Sequence, residues 1–170
     1  MAVTLVLGGA RSGKSAYAQQ AAETAAVKAG RLVMLATAEA LDEEMRTRID
    51  KHKADRAEAW HTVEAALSLP QAILKLQSND IAVVDCLTLW ISNLMMHERN
   101  VEQGVNALLT AVSNARCPLW LVSNEVGMGI VPENALARAF RDHCGRMHQQ
   151  LAVGADNVVM VVAGLPLTVK

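Results

Sequence analysis

The residues Gly8-Gly9-Ala10-Arg11-Ser12-Gly13-Lys14-Ser15 bring glycines, a lysine and a hydroxyl together at the spacing G-x-x-x-x-G-K-[ST]. Each residue type has a chemical use at its place. Glycines let the backbone curl until successive N–H groups converge on phosphate oxygens. A helix starting near Lys14 adds the positive end of its dipole to the same point. Lys14 then reaches the β- and γ-phosphates, and the Ser15 hydroxyl is placed to ligate Mg²⁺. The pattern is a P-loop when a strand precedes it and a helix follows. Alone it specifies binding of a nucleoside triphosphate, not what is done with it.

A second group of residues is Glu44, Arg48, His52 and Arg56, with Lys53 beside them. They stand four apart and share one face of any helix they form. Arginines one turn to either side of a histidine keep its imidazole neutral and nucleophilic. The same arginines attract a triphosphate and offset charge building on a transferring phosphorus. The stripe therefore suits a histidine that becomes covalently nucleotidylated. Charged stripes are more often solvated helix faces, and spacing alone favours that reading.

Two acidic residues follow apolar runs. Ile81-Ala82-Val83-Val84-Asp85 has the form of a Walker B strand, whose acid serves the metal of the P-loop. Ser123–Pro132 follows another run and contains Glu125, Gly127 and Gly129. It offers a carboxylate at the carboxyl end of a strand, where open α/β sheets bind ligands. His61, His97, His143 and His148 have no metal-ligand spacing and read as surface or packing residues. Trp90, Trp120 and most methionines read as core.

The elements needed to position these residues are legible in order. Met1–Leu7 reads as a strand, Lys14–Ala29 as a helix and Leu32–Ala36 as a strand. Leu41–Arg56 has helical patterning, and Trp60–Glu64 is extended. Ala65–Gln77 reads as a helix carrying Pro70, and Ile81–Asp85 as a strand. Leu87–Glu98 and Val101–Ala115 are helical, Leu119–Ser123 is a strand, and Asn134 caps a helix reaching about Ala152. Asn157–Ala163 and Leu165–Val169, split by Gly164, form a closing hairpin. Alternating strands and helices specify an α/β fold with a mainly parallel sheet, built as one domain over residues 1–170. The 170 residues are 52% apolar but only 3% aromatic, so Ala, Val, Leu and Met must fill a core covered on both sheet faces. A net charge of −1 gives no reason to expect nucleic acid as a partner. Three dispersed cysteines point to reduced thiols and a cytoplasmic setting, with no signal peptide and no membrane span.

Taken together the chain resembles the bifunctional adenosylcobinamide kinase / adenosylcobinamide-phosphate guanylyltransferase family of cobalamin biosynthesis. The resemblance rests on Gly8–Ser15, Ala36-Thr37-Ala38, Asp42–Met45, Arg48-Ile49 and His52-Lys53 to Arg56. It continues through Trp60, Thr62, Glu64, Asp85–Thr88 and Asn93-Leu94. Most specific is Ser123–Asn134, followed by Arg138, Phe140, Arg141-Asp142 and Gly145-Arg146. It implies a RecA-like P-loop fold, a homotrimer, and ATP or GTP with Mg²⁺. It also implies phosphorylation of adenosylcobinamide, followed by GMP transfer to adenosylcobinamide phosphate through a guanylyl-histidine. His52 matches the guanylylated residue. Gly8, Gly9, Ala10, Arg11, Ser12, Gly13, Lys14 and Ser15 match nucleotide contacts. So do Ala36, Thr37, Ala38, Lys53, Ala54, Asp55, Arg56, Glu64 and Asp85; Ser15 and Asp85 would serve the metal. Departures are Ala57 where proline is common, His148 where asparagine is common, and Lys51 where some members have a second histidine. In this company the nucleophile reading of His52 outweighs the solvated face. A simple P-loop kinase without a covalent step, and a nucleotide-driven switch, are the competing readings.

Overall fold

The computed structural model describes residues 2–26, 30–39 and 59–170. The Leu41–Arg56 pattern, with Glu44, Arg48, His52, Lys53, Ala54, Asp55 and Arg56, lies outside them.

Short runs of Val, Leu and Ile become strands because both their faces are buried under helices. The strands are β1 (Val3–Gly8), β2 (Arg31–Ala36), β3 (Trp60–Glu64), β4 (Asp80–Asp85), β5 (Leu119–Asn124), β6 (Asn157–Val162) and β7 (Leu165–Thr168). They form one seven-stranded sheet in the order β3-β2-β4-β5-β1-β6-β7. Every pairing is parallel except β6 with β7. The turn between those two holds Ala163 and Gly164 at positive φ of 50° and 80°. That is the backbone twist a two-residue hairpin needs.

The helices among the described residues are α1 (Lys14–Ala26), α2 (Leu69–Leu74), α3 (Leu87–Met96), α4 (Val101–Ser113) and α5 (Ala135–Gly154). Alternation along the strands divides the core in two. Leu5, Val33, Leu35, Val84, Leu119 and Leu121 face α2–α5, together with fully buried Trp90. Val6, Met34, Val83, Val122 and Val161 face α1, which meets them with Ala18 and Ala22. Alanines four apart let that helix approach the sheet closely, which is how a core poor in aromatics fills its volume.

The segment expected as a helix over Ala65–Gln77 is helical only at Leu69–Leu74. Ala65 N–H donates to the Ala36 carbonyl at 2.7 Å, extending the β2–β3 pairing. Side chains take the next carbonyls: Asn93 Nδ2 donates to Ala66 O and Trp90 Nε1 to Leu67 O. The helix begins at Leu69, with Pro70 in its first turn, where the missing N–H is harmless.

Asp80 opens β4 and is almost wholly enclosed. It accepts from Arg31 Nε at 2.8 Å, Arg31 Nη2 at 3.1 Å and Gln77 N–H at 2.7 Å. The Arg31 hydrogen bond holds its carboxyl below the usual carboxylate value. A depressed pKa stabilises the fold above the unfolded-state value and loses that stabilisation as pH falls through the folded-state value. Asp80→Asn is therefore expected to cost about 1–3 kcal/mol at pH 7 in urea unfolding, and much less near pH 3.

Candidate active site

The parallel registers place the sequence-derived residues along one sheet edge. Glu64 of β3 pairs with Ala36 of β2, and Ala36 with Asp85 of β4. Gly8 of β1 pairs with Asn124 of β5. These are the carboxyl ends of the strands. Strand β5 lies between β1 and β4, and the chain leaving Asn124 stays beside the P-loop strand, where Glu125 N–H donates to Gly8 O at 2.9 Å. Thus Gly8–Ser15, Ala36–Ala38, Glu64, Asp85 and Glu125 share one edge of the molecule.

The P-loop is set by close approach and by left-handed backbone. A Cβ on Gly8 would stand 2.4 Å from Ser12 Oγ and 2.6 Å from Val161 O. Arg11 and Gly13 have φ of 55° and 95°. The hairpin tip braces the loop: Gly164 N–H donates to Ser12 O at 2.8 Å. Nothing in the local sequence announced this contact, because it depends on β6 lying beside β1.

Lys14 is 7% exposed and donates from Nζ to Gly9 O at 3.0 Å. Burial lowers its pKa, and the nearby Cys86 and Asp85 oppose that shift. Lys14 and Asp85 thus lie within electrostatic reach of one another. Asp85 would bring a carboxylate, and Ser15, which follows Lys14 in the chain, an alcohol. Among the described residues no three His, Cys, Asp or Glu side chains gather to hold a metal. Sparse oxygen donors of this kind fit Mg²⁺, which keeps waters and takes substrate phosphates as further ligands.

Thr37 is completely buried. Its hydroxyl donates to Cys86 O at 2.7 Å and accepts from Cys86 N–H at 2.8 Å. Asn93 Nδ2 holds Thr37 O at 2.7 Å. Its side chain therefore braces the turn after Asp85, where the Asp85–Cys86 peptide is cis. Ala36 and Ala38 flank it at the same edge, half-buried, while Glu64 is exposed.

The loop after β5 is tightly tied. Gly127 N–H donates to Glu125 Oε1. Arg141 Nη2 donates to Gly127 O at 2.7 Å, and Arg138 Nη1 to Pro132 O at 2.9 Å. Asn134 caps α5, accepting from Leu136 N–H at 2.8 Å and Ala137 N–H at 3.2 Å. Sequence reading gave no role to these arginines. Their periodic place after the loop was the available signal.

His148 is a packing residue with a specific task. Its Nε2 lies 2.7 Å from Ser123 Oγ, inside the protein. Burial holds its pKa below the ordinary histidine value, with Glu125 pulling the other way. Thr88 Oγ1 accepts from Asn124 Nδ2 at 3.3 Å and sits 3.2 Å from Cys86 Sγ. Both contacts fix the strand end that carries Glu125. Cys86, Cys117 and Cys144 are buried and free. Burial pushes Cys117 to about 11 and Cys144 to about 12, so both remain protonated packing groups.

Known proteins resemble this chain in sequence and in fold. The chain is 40% identical to the bifunctional adenosylcobalamin biosynthesis protein CobU of Escherichia coli K12, over 98% of each chain. It is 39% identical to the bifunctional adenosylcobalamin biosynthesis protein CobP of Pseudomonas aeruginosa PAO1, over 98% of this chain and 96% of that one. Among solved structures, a Pyrococcus horikoshii OT3 protein superposes with a TM-score of 0.54 at 10% identity, over 99% of this chain and 86% of its own. The flagellar accessory protein FlaH of Methanocaldococcus jannaschii gives 0.52 at 12% identity, over 99% and 78%. These two share the fold alone. The family model for cobinamide kinase / cobinamide phosphate guanyltransferase matches residues 4–169. On that match and those identities, the chain belongs to the cobinamide kinase / cobinamide phosphate guanyltransferase family.

Proposed function

We propose that this protein phosphorylates the aminopropanol hydroxyl of adenosylcobinamide from ATP or GTP, then transfers GMP from GTP to the resulting phosphate, giving adenosylcobinamide-GDP. The observation that carries the reading is full-length family membership, joined to a P-loop, Asp85 and Glu125 on one sheet edge.

In the kinase step the acceptor hydroxyl oxygen bonds to the γ-phosphorus, the bond to the β-bridging oxygen breaks, and a nucleoside diphosphate leaves. The P-loop N–H groups and Lys14 hold the triphosphate and offset the charge shifting to the leaving oxygen. Glu125 is a candidate to take the hydroxyl proton, being an acidic residue on the same sheet edge as the P-loop. Ser15 and Asp85 would hold Mg²⁺, which supplies charge neutralisation at the phosphates when bound.

In the guanylyl step a ring nitrogen of His52 bonds to the α-phosphorus of GTP and pyrophosphate departs. A phosphate oxygen of adenosylcobinamide phosphate then bonds to that phosphorus, and the N–P bond breaks. Arg48, Lys53 and Arg56 would neutralise the charge. Ala36, Thr37, Ala38, Lys53, Ala54, Asp55, Arg56 and Glu64 are the proposed contacts to the guanine nucleotide. Attack on the α-phosphorus must be in line with the departing pyrophosphate.

A homotrimer in the cytoplasm belongs to the same proposal. Light scattering should give three times the 18.2 kDa chain mass. Among the described residues no helix is long and apolar enough to cross a membrane. The test of function is turnover. Protein, Mg²⁺, ATP and adenosylcobinamide should yield adenosylcobinamide phosphate, and adding GTP should yield adenosylcobinamide-GDP with pyrophosphate, both read by mass spectrometry. Nucleotide binding without either product would leave the switch reading standing instead.

A further inference from the structure

The P-loop edge accounts for the nucleotides but leaves the corrin part of the acceptor unplaced. This chain has a single phenylalanine and little other aromatic surface to serve as a platform. One surface on that edge has the wrong character for an unoccupied face. Met128 is 82% exposed, Ile130 97%, Leu136 66% and Met96 58%. These side chains belong to the loop after β5, the start of α5 and the end of α3. Beside them a groove of about 390 Å³ runs between α3 and α5, floored by Met95, Ala137 and Phe140. No charged side chain lines it.

Apolar groups on a slack loop can fold inward. Here they cannot, because Arg138, Arg141 and the Asn134 cap fix the backbone that carries them. The loop thus holds methyl-bearing side chains out in water, at a standing cost that a bound apolar surface removes. The same loop starts at Asn124, paired with Gly8 of the P-loop strand, and passes Glu125 before reaching the groove. A ligand seated in the groove can therefore extend an arm along the loop to the nucleotide phosphates.

We propose that this groove and the Met128–Val131 crest form the docking site for the corrin macrocycle, with the aminopropanol arm directed past Glu125 towards the P-loop. The site suits the chemistry of that ligand class. A corrin is a broad, methyl-studded disc fringed by neutral amides, and it calls for apolar contact without ionic partners. An uncharged groove lined with flexible methionines and one aromatic ring provides that. The proposal rests on the cobinamide reading above.

Ile130→Asp and Leu136→Glu test it, since both positions are exposed and tolerate charge without unfolding. Each is expected to raise the KM for adenosylcobinamide about tenfold or more, by setting a carboxylate against an apolar ring. The KM values for ATP and GTP should stay within about twofold, because the nucleotide cradle is untouched. Equilibrium dialysis with adenosylcobinamide should show the same loss of binding in the double variant. Val153→Glu, at the far end of α5, supplies the control and should leave the corrinoid KM unchanged. If wild-type protein binds no corrinoid, the cobinamide reading itself fails. If wild-type protein binds it and both variants bind equally well, the docking site is overturned while the function stands. Should the variants instead lower the assembly mass in light scattering and raise corrinoid and nucleotide KM values together, the groove is a contact between subunits and the proposal falls.

Discussion

Replacing His52 by alanine is expected to abolish guanylyl transfer, by at least about 10⁴-fold, while kinase turnover remains measurable. The two steps use different phosphorus atoms. Phosphoryl transfer from the γ-position needs the P-loop, the metal site and an acceptor hydroxyl, and none of these is His52. Transfer from the α-position needs a nucleophile that can hold GMP while pyrophosphate leaves. Incubation with GTP labelled on the α-phosphate checks this directly. Wild-type protein should carry one label that is acid-labile and base-stable, as a phosphoramidate is. His52→Ala protein should carry none. Added adenosylcobinamide phosphate should discharge the label into product. Label surviving in His52→Ala, or guanylyl transfer surviving there, would move the nucleophile elsewhere. Retained kinase activity in the variant also rules out misfolding as the cause of the loss.

Lys14→Ala is expected to impair both activities, with kinase kcat/KM falling about 10²–10³-fold. Lys14 is nearly enclosed, its ammonium held against Gly9 O and within electrostatic reach of Asp85. A cation so placed has already lost most of its hydration, so its interaction with phosphate is weakly screened. Truncation removes that positive charge from the β- and γ-phosphates. Fluorescence titration should show weakened triphosphate binding, and the γ-step should suffer more than the α-step because the lysine serves the β- and γ-oxygens. An unchanged nucleotide Kd would overturn this role. A circular dichroism spectrum matching wild type would confirm that α1 still forms, as its packing rests on Ala18 and Ala22 rather than on Lys14.

The sequence by itself determined the order of elements and the P-loop, because each depends on neighbours a few residues apart. Buried apolar runs define strands, and the spacing of Gly8, Gly13, Lys14 and Ser15 defines a phosphate cradle. Asn134 was legible as a helix cap for the same reason, since its hydrogen bonds reach only two and three residues ahead. The helix over Ala65–Gln77 was overestimated because its first carbonyls are claimed by Trp90 and Asn93, residues remote in the chain. Propensity along a segment carries no information about such competitors. Only the tertiary structure decided that β5 inserts between β1 and β4, which brings Glu125 beside Gly8 at the start of the P-loop. It also decided that Gly164 braces Ser12, that Thr37 is spent on the Cys86 peptide, and that His148 is tied to Ser123. Each of these joins residues separated by 25 or more positions, through strand order and sheet register. Local sequence can specify the chemistry each group is able to do, but which groups meet is set by how the buried faces of distant elements pack together.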